Sequence, residues 1–145
     1  MKEIELVHTP SELFVREELE KGYSLSRRSI YWKDIPGYEG MYQASTTGKI
    51  RKLSGDSLMV MKPTTWKGYK KVAFTKDSKR KYYFVHDLVW EAFNGPIPRG
   101  LEIDHINGNP ADNRLKNLRV CTHKENMNNP ITKERMRKIK KAPRL

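Results

Sequence analysis

The apolar positions of the chain fall into short runs separated by turn residues, and few stretches carry a helical period. Met41–Ser45 reads as a strand, Thr46-Thr47-Gly48 as a tight connection and Lys49–Arg51 as the returning strand, which together predict a hairpin. Trp32, Tyr38 and Tyr42 can form its apolar side, with Lys49, Arg51 and Lys52 outward. Beyond a loop at Ser54–Asp56, Tyr69–Thr75 and Tyr82–Val85 read as two further strands around a polar turn, Lys76–Lys81. Val85–Asn94 changes period: Val85, Leu88, Val89, Ala92 and Phe93 share one helical face, and Gly95-Pro96 stops the helix. Upstream, Ser11–Lys21 predicts a short helix with Ser11 as N-cap, and Ser24–Ser29 reads as a polar linker; neither carries a functional signal.

The densest pattern lies in LEIDHINGNPADNRLKNLRVCTHKENMNN, Leu101 to Asn129. An apolar-alternating strand ends on Asp104-His105, a turn-rich loop follows at Asn107-Gly108-Asn109-Pro110, and Asn117–Cys121 reads as a second strand. Thr122-x-x-Glu125 is a capping box that starts a helix, which Asn129-Pro130 closes. The tail from Ile131 to Leu145 holds seven basic residues and one acid; it reads equally as a helix that firms up on DNA or as a solvated end.

Charge narrows the class of partner. The net charge of +12 and pI near 9.8 point to a polyanion, since Lys and Arg docked on phosphates release counterions. Residues 1–30 hold five basic against six acidic side chains, so the excess belongs to the remainder. Lys67, Lys70 and Lys71 edge the sheet, either to meet a nucleic-acid backbone or to blunt its edges against aggregation. The single cysteine, Cys121, excludes an internal disulfide and a Cys-rich zinc knuckle. No apolar run approaches the roughly 18 residues of a membrane helix, and a mean hydropathy of −0.81 agrees, predicting a soluble protein of a reducing compartment with no membrane partner.

Phosphodiester cleavage needs a nucleophile, a Lewis acid and alignment of the leaving oxygen. Asp104 offers a hard oxygen ligand suited to Mg²⁺ or Mn²⁺. His105 points the other way if both lie in a strand, or over the groove if the strand end twists; near neutral pH it can take a proton from water. Asn126, early in the capped helix, can look back at the strand and supply a second ligand, and Asn117 can bond across the hairpin to fix the loop holding His105. Asn107, Asn109 and Asn113 read as ordinary loop residues, and His86 as a packing histidine. Cys121 with His123 makes only a thin case for zinc.

Asp104-His105, then Asn117, then Asn126 after eight intervening residues resembles the HNH nuclease motif with asparagine in the third position. DHINGNPADNRLKNLRVCTHKEN, preceded by VHDLVWEAFNG, is similar to the HNH domains of phage and intron-associated homing endonucleases. WKDIPGYEGMYQASTTGKIRKL resembles the small module that often precedes them. The resemblance implies an α+β fold: a small antiparallel sheet followed by a ββα-metal (His-Me finger) domain. It divides the chain into an N-terminal arm (1–30), a basic DNA-binding β module (31–84), the nuclease domain (85–130) and a basic tail (131–145).

It further implies a DNA endonuclease leaving a 3′-hydroxyl and a 5′-phosphate, with one Mg²⁺ or Mn²⁺ ion on Asp104 and Asn126, His105 as general base and Asn117 orienting its loop. Duplex DNA would meet Lys49, Arg51, Lys52, Lys67, Lys70, Lys71, Arg119, Lys133, Arg135, Arg137 and Lys138. The expected state is a monomer or weak dimer in the cytoplasm of a bacterial or phage-infected cell. Longer members carry a C-terminal helical DNA-reading module, whereas a short basic tail follows Pro130, which implies weak site selectivity. The competing expectation is a basic nucleic-acid-binding protein that keeps the HNH-like fold without catalysis, or one directed at RNA.

Overall fold

The computed structural model describes residues 2–4, 23–25 and 30–141, with side-chain detail beginning at Ile30. The expected helix at Ser11–Lys21 and most of the linker after it lie outside these residues. Lys2–Ile4 (β1) and Tyr23–Leu25 (β2) pair in parallel.

Trp32–Asp34 (β3), Tyr42–Ser45 (β4), Ile50–Ser54 (β5) and Ser57–Val60 (β6) form an antiparallel sheet in sequence order. The predicted hairpin is its centre. Period-two alternation decides the faces. Tyr42, Ala44 and Ile50 are buried, so Gln43 and Arg51, which stand opposite each other, share the far side. Arg51 accordingly donates from Nε and a terminal nitrogen to Gln43 Oε1 at 2.9 and 2.6 Å, and its guanidinium lies 4.2 Å over the Trp32 ring. This corrects two expectations: Trp32 is not on the apolar side with Tyr42, and Arg51 is held within the sheet surface rather than projecting from it. Lys49 and Lys52 are exposed as expected.

Thr64–Trp66 (β7), Tyr69–Lys76 (β8) and Lys79–Phe84 (β9) make a second antiparallel sheet. The polar turn between β8 and β9 is tighter than the pattern implied. Asp77 and Ser78 take φ of 52° and 59°, the positive pair of a type I′ hairpin, so the strands run to its edge. β3, β6 and β7 carried no readable alternation; β6 and β7 are exposed at every position. Val85–Asn94 (α1) has the predicted bounds and ends where the Gly95 amide donates to Glu91 O at 2.9 Å.

Val85, Leu88, Val89, Ala92 and Phe93 of α1 meet Tyr31, Ile35, Tyr42, Ala44 and Ile50 from the first sheet and Val72 and Phe74 from the second. Ile103 and Leu118, on the Leu101–His105 (β10) and Leu118–Thr122 (β11) hairpin, join the same cluster. A one-turn 3₁₀ helix, Leu115–Asn117, precedes β11, which therefore starts one residue later than expected. Thr122 caps His123–Asn128 (α2), its Oγ1 accepting from the Glu125 amide at 3.1 Å. Pro130 does not end helical structure but begins Pro130–Lys141 (α3). Asn129 caps it, Oδ1 accepting from the Ile131 amide at 2.9 Å, and a proline in the first turn sacrifices no hydrogen bond. Among the described residues no helix is long and apolar enough to cross a membrane.

Phe74 is fully buried, stacked on Tyr42 at 3.9 Å and edge-on to Tyr38 at 4.9 Å. Phe74→Ala is expected to cost about 3–5 kcal/mol in chemical denaturation, because the surrounding rings cannot collapse into the space.

A candidate hairpin-and-helix active site

β10 and β11 pair with Ile103 opposite Val120 and Asp104 opposite Arg119. The apolar pair is turned into the core, and Asp104 and His105 follow at the strand's end. Both are buried, at 3% and 4% exposure. They point to different sides, as strand alternation requires, and meet different partners.

His105 Nε2 lies 2.8 Å from Asn113 Oδ1. Its ring stands edge-on to His86 at 5.0 Å and 6.1 Å from Tyr69. His86 is buried in the first turn of α1, and burial, reinforced by nearby His105, pushes its pKa down to about 3. Neighbouring Asp87 is pushed up to about 6 by burial and then by Glu91. The 3.3 Å contact between His86 Nε2 and Asp87 is therefore not an ion pair at neutral pH.

The loop between the strands is closed by Asn117. Its Oδ1 accepts from the Asn107 amide at 3.0 Å, while Nδ2 donates to Asn107 Oδ1 at 3.0 Å and to Asp112 O at 2.8 Å. Asn107 Nδ2 also donates to Asp112 Oδ2 at 2.8 Å. Arg114 donates to both Asp112 oxygens at 2.7 and 2.6 Å, and these bonds pull the Asp112 pKa down to about 2. The first sheet supports the same loop: the Leu115 amide donates to Thr46 O at 2.9 Å, and Gly48 abuts the backbone of Asn113. Gly48 has φ of +87°, and a Cβ there would meet Asn113 C at 2.6 Å, so glycine is needed twice over.

On the other side, Asp104 Oδ2 accepts from Arg119 Nε at 2.7 Å and from Asn129 Nδ2 at 3.3 Å. Asn126 looks back at β10 as expected, but its Nδ2 donates to Glu102 Oε1 at 2.7 Å, not to Asp104. The exposed His123 also reaches Glu102, at 3.2 Å. Asp104 and Glu102 are two residues apart on one strand and share a face, so Asp104, Glu102, Asn126 and Asn129 lie along one face of the hairpin. Among the described residues no group of three or more His, Cys, Asp and Glu is placed to hold a metal. The donors at hand are carboxylate and amide oxygens, which fit a hard ion such as Mg²⁺ or Mn²⁺ with retained waters rather than zinc.

The remaining expected DNA contacts divide. Lys67 is exposed, and Lys70 and Lys71 are partly so. Lys133 and Lys138 are exposed on α3, Arg137 is paired with Glu134, and the Arg135 side chain lies outside the described set. Arg119 is committed to Asp104. Sequence reasoning missed Asn113 and Asn129. Asn113 reads as one loop asparagine among several, and only its 4% exposure and its contact with His105 single it out.

A buried histidine beside a strand-end acid therefore sits on a hairpin closed by an asparagine and flanked by a capped helix, a ββα arrangement. Residues 83–128 match the HNH endonuclease family model, and residues 31–88 match the NUMOD4 motif. DNA endonuclease I-HmuI of Bacillus phage SP01 is 40% identical over 103 residues, which cover 70% of this chain and 58% of that one. An HNH endonuclease of Acanthamoeba polyphaga mimivirus is 30% identical over 83% of this chain and 31% of its own length. The solved structure "DNA binding and cleavage by the HNH homing endonuclease I-HmuI" superposes with a TM-score of 0.63 and 35% identity, covering 76% of this chain and 66% of that chain. Residues 83–128 thus form an HNH endonuclease-type segment behind a NUMOD4 segment, and the chain spans just over half the length of its phage SP01 relative.

Two outcomes test the loop. Asp112 has a native pKa below the usual carboxylate value, so its contribution is complete above about pH 4 and is lost as pH falls through about 2. Asp112→Asn is expected to lower stability at pH 7 by about 1–2 kcal/mol and to flatten the acid limb of an unfolding-versus-pH curve between pH 4 and 2. Gly48→Ala is expected to cost at least about 1–3 kcal/mol in urea unfolding, with Asn113 amide shifts in the NMR spectrum reporting the displaced backbone.

Proposed function

We propose that this protein is a divalent-metal-dependent DNA endonuclease that hydrolyses phosphodiester bonds to leave a 3′-hydroxyl and a 5′-phosphate. The observation that carries the reading is His105, held at the hairpin's end by Asn113 within the segment that matches the HNH family.

Asn113 Oδ1 can only accept, so in the neutral imidazole Nε2 carries the proton and Nδ1 bears the lone pair. His105 then acts as general base through Nδ1, withdrawing a proton from the attacking water. Asn113 fixes the tautomer and the ring, and Asn117 holds the loop that carries Asn113. His86, kept neutral by burial, places no positive charge beside the base. Asp104 and Asn126 would hold the ion, with Glu102 and Asn129 close by; when bound, it supplies Lewis-acid stabilisation of the phosphate and the leaving oxygen. Arg119, half exposed, can swing away from Asp104 without losing buried packing.

Duplex DNA is the proposed substrate, met by Lys49, Lys52, Lys67, Lys70 and Lys71 on the sheets and Lys133 and Lys138 on α3. One such site serves one strand, so a monomer nicks, and a break needs two events or a weak dimer.

Supercoiled plasmid should be converted to nicked circles with Mg²⁺ or Mn²⁺, and EDTA should abolish this. His105→Ala is expected to reduce cleavage by at least about 10²-fold while duplex affinity stays within about twofold. Cutting by His105→Ala at the wild-type rate would overturn the assignment; tight, salt-sensitive binding without cleavage by the wild type would leave a DNA-binding protein. Asn113→Ala should lower kcat with KM little changed and shift the acid limb of the rate profile, and Asn113→Asp should restore part of the rate.

A further inference from the structure

The outer face of the second sheet carries a feature the nuclease chemistry does not use. Register places Tyr69 opposite Trp66, Phe84 opposite Lys71 and Tyr82 opposite Ala73, while Val72 and Phe74 turn inward to the core. Trp66 is 49% exposed and Tyr82 60% exposed. Cations stand over these rings: Lys71 Nζ lies 5.5 Å from the Trp66 centroid, 5.3 Å from Phe84 and 5.8 Å from Tyr82. Lys67 lies 4.8 Å over Trp66, and Arg80 lies 5.3 Å over Tyr82.

The aromatic row continues into the site. Trp66 is 6.1 Å from Phe84, Phe84 is 5.8 Å from Tyr69, and Tyr69 is 6.1 Å from His105. Two large exposed rings on a sheet invite self-association unless something covers them, and the interleaved cations select an anion as cover. Lysines alone would serve a duplex backbone. Rings do not: bases paired inside a duplex offer their edges, whereas an unpaired base offers its π face to a ring and its phosphate to a neighbouring cation.

We propose that the outer face of β7–β9 binds an unpaired stretch of the DNA strand leading to His105, with bases stacking on Trp66 and Tyr82 and phosphates on Lys67, Lys71 and Arg80. The preferred substrate is then DNA with a locally opened segment beside the cut. The direction toward the cut rests on the nuclease reading; the binding face does not.

The test is equilibrium binding in EDTA, where no cleavage occurs, to a fluorescent duplex with a short central bubble and to the fully paired duplex of the same sequence. The wild type should prefer the bubble. The double variant Trp66→Ala/Tyr82→Ala should lose about a hundredfold on the bubble, since each stacked base contributes on the order of a factor of ten, and less than about twofold on the paired duplex. Trp66→Phe/Tyr82→Phe should keep most of the preference, which separates stacking from hydroxyl or indole hydrogen bonds. Equal losses on both duplexes, or none on either, would overturn the proposal. A failure of plasmid cleavage would leave this result unaffected.

Discussion

The site depends on one amide side chain and the three hydrogen bonds it makes. Asn117 ties the start of the β10–β11 loop at Asn107 to its far side at Asp112, using its oxygen once and its nitrogen twice. With that loop closed, Asn113 is carried under His105. A loop left open would cost more than those bonds, because His105 is buried and its ring needs a partner fixed in place. The apolar residues Ile103 and Leu118 anchor the two strands in the core from below.

The two sequence modules are physically one support for that loop. Thr46 and Gly48, in the turn of the first hairpin, contact Leu115 and Asn113 directly, and the core formed on α1 takes side chains from both modules. The upstream sheet therefore does more than offer basic surface. It supports the backbone on which the His105 partner stands, leaving no room at Gly48 for a side chain.

Charge is arranged in three different ways. Lys49 and Lys52 project into solvent, where they act through the long-range field that draws in a polyanion. Arg51 and Arg119 are tied down, one to Gln43 and Trp32, the other to Asp104. Lys67, Lys71 and Arg80 are interleaved with aromatic rings. Only the first group follows from composition, because composition counts charges without knowing what each one touches.

The sequence by itself determined a good deal: the central hairpin, the bounds of α1, the strand ending on Asp104-His105, the Thr122 cap and the resemblance to HNH endonucleases. These are local properties, written in period, turn residues and spacing. The tertiary structure decided the rest. Asn113 rather than its sibling loop asparagines meets His105, within the loop that Asn117 closes. Asn126 reaches Glu102, and Asn129 reaches Asp104, because the α2–α3 junction sets which amide arrives at which register. Partners separated by eight to twenty-five residues are fixed by packing, and packing is not a function of any short window of sequence.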